Sequence, residues 1–252
     1  RPLVLDDFSR FDLLLAAGPV LAQSAAAPAA APAAAPVAPP PAWQAGVDAM
    51  RRGDHAAAAD VFRARAAQGD AEAAYNLGVL YTRGHGVAQD PAEALRWYRN
   101  AAERGNPLAQ SAVGFAYLNG QGVTRDVNEA ADWYQKAADQ GYSSAQAALG
   151  YLHTVGQGVP RDFAAAARWY RLAADQGYGL AQAALAELYT RGEGVPTDYA
   201  AAVRWYRQAA ERGYPAGMAG LGHLYATGRG VDRDEAARGL VEVGEARVVG
   251  HV

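Results

Sequence analysis

The stretch from Gly120 to Gly141 decides the fold, because it holds a set of residues that the chain repeats. The set comprises Gly120-Gln121-Gly122-Val123, Asp126, Trp133-Tyr134, Ala137-Ala138 and Gly141. Its Trp-Tyr pair returns every 36 residues, at Trp97-Tyr98, Trp133-Tyr134, Trp169-Tyr170 and Trp205-Tyr206. Its Gly-x-Gly-Val element keeps the same period and begins at Gly84, Gly120, Gly156, Gly192 and Gly228. A fixed period of this length predicts stacked supersecondary units, each burying its apolar face against the next.

Each unit reads as two helices joined by a glycine-containing loop. The first helix, helix A, carries a pattern such as Leu77-Gly78-x-Leu80-Tyr81. The second, helix B, is predicted to begin after an N-capping aspartate, because that carboxylate accepts the unpaired amides of the first turn. These aspartates are Asp90, Asp126, Asp162, Asp198 and Asp234. Helix B should end near a left-handed glycine, at Gly105, Gly141, Gly177 and Gly213.

The adjacent Trp and Tyr of helix B point about 100° apart on an α-helix. We therefore expect one ring to face helix A of its own unit and the other to reach a neighbouring unit. Burial of the large aromatic predicts that truncating Trp133 costs about 3–5 kcal/mol.

The composition of the 252 residues excludes several kinds of site. The net charge is −3 and both signs are interspersed, so the chain lacks the basic stripe that a phosphate backbone requires, and no nucleic-acid partner is expected. The absence of cysteine removes disulfides, thiolate metal sites and cysteine nucleophiles.

The N-terminal residues resemble export and linker segments. Residues 13–22 have the length of a signal-peptide hydrophobic region, with small residues before Gln23. Residues 1–24 are therefore a predicted signal peptide, although Asp6, Asp7 and Asp12 spoil the positive flank, and a meaningless upstream extension is the alternative. The run is too short for a stable membrane span. Residues 25–42 alternate Ala with Pro and predict a semi-rigid spacer, with a proline-recognition ligand as the sharper alternative.

In these residues the chain resembles the Sel-one-like repeat (SLR) family, a relative of the tetratricopeptide repeat. The matching pattern is Ala-x-x-x-Leu-Gly-x-x-Tyr, Gly-x-Gly-Val, Asp, Ala, Trp-Tyr, Ala-Ala and Gly. The resemblance implies an all-α fold, a right-handed α/α superhelical solenoid of 36-residue helix-turn-helix repeats. It also implies protein–protein interaction, and in bacterial members a role as an adaptor in envelope signalling or assembly, in the periplasm or beyond.

The resemblance and the repeat boundaries together predict the domain organisation. Residues 43–69 form a shortened, tetratricopeptide-like entry repeat, in which Val61-Phe62 replaces Trp-Tyr. Residues 70–231 hold the regular repeats. Residues 232–252 form a degenerate C-terminal cap, in which Val241-Glu242 replaces Trp-Tyr.

Motifs of enzymes and metal sites find structural explanations. The repeated Gly-x-Gly elements follow a helix, whereas a phosphate loop follows a strand, so we interpret them as turns. No histidine has metal-ligand spacing, and His153 stands in a column of tyrosines as a packed substitute. No serine lies in a nucleophile elbow. We therefore predict no catalytic residue, cofactor or metal. The alternatives are a β-lactam-binding or hydrolysing enzyme, like cysteine-rich SLR relatives, and a cytosolic regulatory adaptor.

Variation among the repeats points to a binding surface. Positions four apart share a helical face, and one such stripe on helix A changes its residue type from repeat to repeat. In this family helix A lines the concave surface, so we expect the stripe to lie outside the core and bind another protein or a peptide segment. Aromatic residues and arginines are frequent in interfaces, whereas the alternative is an unconstrained surface. The predicted partner-binding residues are Tyr75, Val79, Arg83, Phe115, Asn119, Tyr151, Glu187, Arg191 and His223.

Overall fold

The computed structural model describes residues 41–231, with side chains from Ala45 onward. In this part the chain contains eleven α-helices and no strand. It divides into two compact units, of which one ends at Asp126 and the other begins at Val127. The first contains α1 (Pro41–Arg51), α2 (His55–Ala67), α3 (Ala71–Arg83), α4 (Pro91–Ala102) and α5 (Pro107–Asn119). The second contains α6 (Val127–Asp139), α7 (Ser143–Val155), α8 (Phe163–Asp175), α9 (Gly179–Arg191), α10 (Tyr199–Glu211) and α11 (Pro215–Thr227).

The helices repeat with the period seen in the sequence. The A helices are α3, α5, α7, α9 and α11, and the B helices are α4, α6, α8 and α10. Helix α2 lies one period before α4, within the predicted entry repeat, and α1 begins at Pro41, inside the stretch assigned to the spacer. The predicted signal peptide (1–24), the rest of the spacer up to residue 40 and the predicted cap (232–252) lie outside the described residues.

Aspartate side chains begin α4, α8 and α10, as predicted. The Asp90 carboxylate accepts the amides of Ala92 and Glu93 at 2.9 and 3.1 Å. Asp162 caps α8 in the same way by accepting the Ala165 amide at 2.9 Å. That bond stabilises the ionised carboxylate and lowers the pKa of Asp162 below its ordinary value. These aspartates therefore bind backbone amides at the starts of helices.

The Gly-x-Gly-Val loop sets the spacing between successive repeats. Its first glycine ends helix A in the left-handed region, with φ between 62° and 71° over the five loops. Its second glycine also has positive φ, and a Cβ there would collide with the backbone at the start of the preceding B helix. At Gly122 the obstacle is Pro91, and at Gly158 it is Val127. Each loop therefore packs on the previous helix B, and its interpretation as a structural turn is confirmed.

The two aromatic residues of the Trp-Tyr pair have different roles. Tyr98, on α4, packs against Gly78 of α3, and the hydroxyl oxygens of Tyr98 and Thr82 are 2.9 Å apart. Trp205, on α10, lines a cavity together with Ala174 and Gln176, which lie at the end of the preceding helix B. The expected division between own repeat and neighbour is therefore confirmed at these two residues.

In the pair Trp133-Tyr134 the tyrosine, not the tryptophan, is the more deeply buried ring. Trp133 is half-buried, and the ammonium of Lys136 lies 3.7 Å from its ring centroid. Its neighbour Tyr134 is fully buried. The large loss of burial on truncation therefore belongs to Tyr134.

A hydrogen bond from an arginine to a tyrosine links a helix to the next helix A at four places, which are α2–α3, α4–α5, α8–α9 and α10–α11. Arg207 of α10 donates to the Tyr225 hydroxyl of α11 at 3.0 Å. The same bond joins Arg63 to Tyr81, Arg99 to Tyr117 and Arg171 to Tyr189. Both partners differ between α6 and α7, where the corresponding residues are Gln135 and His153.

His153 is packed to a degree similar to most tyrosines of its column, since Tyr81, Tyr117 and Tyr189 are also half-buried. It is half-buried, and its Nδ1 lies 3.1 Å from the Pro160 carbonyl oxygen in the following loop. The Gln135 amide donates instead to Asp139, on its own helix, at 2.6 Å. The arginine and the tyrosine are therefore replaced as a pair.

Candidate partner-binding surface

The nine predicted binding residues lie on the A helices in three classes of exposure. Exposed side chains are those of Asn119, Arg191 and His223, and half-buried side chains are those of Tyr75, Arg83, Tyr151 and Glu187. Val79 and Phe115 are buried, with 5% and 9% of their surface exposed. The expectation that the whole stripe lies outside the core is therefore wrong at these two positions.

The burial of Val79 and Phe115 follows from the packing of the A helices. Helix α3 buries every residue from Asn76 to Leu80, and α9 buries every residue from Ala181 to Ala186. By contrast, α4 buries Ala94, Leu95, Trp97, Tyr98, Ala101 and Ala102, which follow the spacing of one helical face. An A helix is thus covered on most sides, so a four-residue spacing alone does not place a stripe in solvent.

The charged residues of the stripe differ in their pairing. On α9 the carboxylate of Glu187 forms an ion pair with Arg191, one turn further along the same helix. Burial raises the pKa of Glu187 above its ordinary value, and Arg191 partly opposes that increase. On α3 the corresponding positions are Val79 and Arg83, and Arg83 forms no ion pair with any residue in 45–231. Arg83 therefore leaves an uncompensated positive charge on this face.

Aromatic rings line the stripe in the first unit. The ring centroids of Tyr75 and Tyr98 are 5.7 Å apart, with the planes tilted by 40°. Burial raises the pKa of Tyr98 to about 12, although its hydrogen bond with Thr82 and the charge of Arg83 act in the opposite direction. Arg83 is therefore close enough to Tyr98 to interact with it electrostatically.

A cavity that the sequence interpretation missed lies between α3, α4 and α5. Its volume is ≈ 280 Å³. Most of its lining is apolar, and the lining residues are Thr82, Gln89, Pro91, Ala94, Leu95, Tyr98, Ala112, Phe115, Ala116 and Gln121. The sequence carried a signal for it, because Ala116 occupies a column that otherwise reads Leu80, Leu152, Leu188 and Leu224. Only one predicted binding residue, Phe115, lines this cavity.

A second cavity, of ≈ 350 Å³, lies at the end of α8 and has polar walls. Gln182, which is 1% exposed, donates its amide to the Ala174 carbonyl at 3.1 Å and to the Gln208 side chain at 3.0 Å. Gln110 and Gln146 make the corresponding bond to the carbonyls of Ala102 and Ala138. These recurrent buried glutamines join successive repeats, and the sequence interpretation missed them too.

The family of the chain follows from matches in register with the helices. The Sel1 repeat model matches residues 71–106, 107–142, 143–178, 179–214 and 215–238. Together these segments cover more than half of the chain. This chain is a Sel1 repeat protein. The resemblance to the Sel-one-like repeat family drawn from the repeated residues is confirmed, as is the predicted all-α class of repeated helix-turn-helix units.

Solved structures of similar chains support this assignment. A Sel1 repeat protein from Oxalobacter formigenes is 32% identical, with a TM-score of 0.73 over 81% of this chain and 84% of that one. A protective antigen of uropathogenic Escherichia coli strains, which displays an SLR fold, is 33% identical, with a TM-score of 0.62. That match covers 81% of this chain and 53% of the antigen, so this chain spans about half of the antigen's length.

A more distant match shows the fold alone. The immunity protein Pa5087 from Pseudomonas aeruginosa is 21% identical, with a TM-score of 0.51 over 82% of this chain and 84% of that one. Among curated proteins, no sequence matches this chain.

The Sel1 family also bears on the class of function. Sel1 repeat proteins commonly mediate protein–protein interaction, and the Sel1 scaffold is typically non-enzymatic. Between residues 45 and 231, no three side chains of His, Asp or Glu are grouped so that they can hold a metal ion. Helices long and apolar enough to cross a membrane are likewise not found in the described part of this Sel1 chain.

Proposed function

We propose that this chain is a non-enzymatic scaffold that binds a protein or a peptide segment through the accessible face of its A helices. One observation carries the proposal: the residues that join the repeats recur, whereas the accessible helix-A residues change. The recurring glycines, tyrosines and arginines pack against neighbouring helices, so they are committed to the fold. Asn119, Arg191 and His223 are exposed on A helices and have no such repeated role.

Site-specific photo-crosslinking in cells tests the proposal. A photoreactive amino acid is placed at Asn119 or His223, which are exposed on A helices, and in matched variants at Arg168 or Arg204, which are exposed on B helices. We expect protein adducts, identified by mass spectrometry, from the helix-A positions. Adducts from the helix-B positions alone would contradict a helix-A binding face.

We further propose that the scaffold acts in the bacterial envelope, as an adaptor in signalling or assembly. The support comes from residues 13–22, which have the hydrophobic length and the small-residue ending of an export signal. N-terminal sequencing of the protein purified from cells provides the test. A chain that begins near Gln23 supports export, whereas an intact leader on cytosolic protein identifies a cytosolic adaptor.

A further inference from the structure

The cavity between α3, α4 and α5 exists because one repeat lacks a core side chain. In four A helices the column holds a leucine that is at most 3% exposed, and α5 has Ala116 there. The facing position at the start of helix B is Pro91, where the later repeats have Val127, Phe163 and Tyr199. Replacing leucine by alanine in a packed interior leaves space that the surroundings only partly fill. The ≈ 280 Å³ cavity is lined by this alanine, so it lies where the repeat has the smallest residue of the column.

The walls of this cavity suit an apolar group. Leu95, Tyr98 and Phe115 supply apolar and aromatic surface. The Tyr98 hydroxyl already pairs with Thr82, and the Gln89 amide donates to the Thr82 carbonyl at 2.9 Å. Because these polar groups already have hydrogen-bond partners, binding in the cavity is most favourable for an occupant with methyl or aromatic groups.

The charge beside the cavity indicates what accompanies that apolar group. In α9 the arginine of this column, Arg191, is neutralised by Glu187 of its own helix. In α3 the position of that glutamate is taken by Val79, and Arg83 has no carboxylate partner among the described residues. A carboxylate from outside would restore the pairing that α9 makes internally.

We infer that this cavity and Arg83 together bind an acidic segment of a partner protein, with an apolar side chain in the cavity and a nearby Asp or Glu on Arg83. The inference rests on the proposed scaffold function and names the chemistry of its partner. The chain's own Ala/Pro-rich residues 25–42 contain no acidic residue, so they do not have the chemistry of this segment.

Selection of random peptides displayed on phage, against the full chain, tests the inference. We expect enriched peptides to place Leu, Ile, Met or Phe within a few residues of Asp or Glu. The variant Ala116→Leu restores the column leucine and fills the cavity. It should raise the melting temperature by about 2–4 °C and weaken binding of a synthetic enriched peptide by about tenfold or more.

Two arginine variants form a matched pair for the carboxylate. Arg83→Gln should weaken the same peptide by about fivefold or more, whereas Arg191→Gln, at the equivalent position but already paired with Glu187, should leave its affinity unchanged. Both arginines lie at the ends of their helices, so we expect both variants to fold, which circular dichroism checks.

Several results would overturn the inference. These are failure to enrich any peptide, equal affinity of Ala116→Leu and the unaltered chain, and equal effects of the two arginine variants. Enriched peptides rich in Ala and Pro without acidic residues would assign the cavity to residues 25–42 instead. If one of these results is found while Asn119 still crosslinks to a partner protein, only the cavity inference is wrong. If no A-helix position crosslinks, the scaffold proposal itself is wrong.

Discussion

Tyr98, Tyr134, Tyr170 and Tyr206 occupy one column of the B helices, yet their hydroxyl groups have different partners. Tyr98 lies 2.9 Å from the Thr82 hydroxyl, and Tyr206 bonds Thr190. Tyr134 is fully buried, and its hydroxyl has no hydrogen-bond partner among the described residues. A buried polar group without a partner costs about 1–3 kcal/mol of stability.

This difference predicts opposite effects of one substitution at two sites. Tyr134→Phe removes an unpaired hydroxyl and should raise the free energy of unfolding by about 1 kcal/mol. Tyr98→Phe breaks the bond with Thr82 and should lower it by about 1 kcal/mol. Urea unfolding of the two variants, followed by circular dichroism, measures both. Equal and negative changes would show that the Tyr134 hydroxyl is bonded in solution.

At the scale of the loop, the second glycine of Gly-x-Gly-Val is constrained twice. Gly158 has a φ of 71°, and a Cβ on it would meet the backbone of Val127. Gly141 has a φ of 85°, and nothing lies within 4 Å of its Cβ position. Replacing each glycine by alanine therefore separates the cost of a left-handed backbone, which both sites have, from the cost of a steric collision, which only Gly158 has.

Gly141→Ala should cost about 1 kcal/mol of stability, since only the left-handed backbone is penalised. Gly158→Ala should cost about 3 kcal/mol or more, because the loop must also move off the start of α6. Chemical denaturation of the two variants measures the difference. Similar losses would mean that the loop does not pack on helix B as described.

At the scale of paired helices, α6 and α7 lack the arginine-to-tyrosine bond that joins other repeats. The double variant Gln135→Arg with His153→Tyr should recreate that bond, with a coupling free energy of about 0.5–1 kcal/mol, because the pair is partly solvated. The matched cycle removes the bond between Arg207 and Tyr225 with Arg207→Gln and Tyr225→Phe. A coupling near zero at the rebuilt site, beside a measurable one at the native site, would contradict the prediction.

The sequence predicted the repeated elements better than the surface between them. The repeats make the same contacts, so the Asp caps, the Gly turns and the Trp-Tyr pair recur at equivalent positions and could be predicted from the sequence. The failures at Val79 and Phe115 have a physical cause: an A helix is covered on most of its sides, so its spacing does not reveal which face is open. The sequence shows that Ala116 is an exception in a column of leucines. It does not show the cavity, which depends on how α4 and α5 pack together.

At the scale of the whole molecule, the buried tyrosines make stability depend on alkaline pH. Burial raises the pKa of Tyr98 to about 12 and also raises the pKa values of Tyr134, Tyr170 and Tyr206. An exposed tyrosine ionises near pH 10. Above about pH 10 the unfolded chain therefore releases protons that the folded chain keeps, so the free energy of unfolding falls as pH rises.

We expect the melting temperature to be nearly constant between about pH 7 and pH 9, and to decrease progressively above about pH 10. Thermal unfolding over this range measures it, and Tyr134→Phe should show a shallower decrease because one titrating group is gone. A melting temperature that stays constant to about pH 11 would contradict the buried phenols.

The contact between each Gly-x-Gly-Val loop and the preceding helix B also has a direction along the chain. The loop at Gly158 rests on residues at Val127, and the loop at Gly194 rests on residues at Phe163. During synthesis the ribosome releases the supporting helix before the loop that docks on it. Every newly made segment of this kind therefore meets a surface that has already left the exit tunnel, and assembly can keep pace with translation.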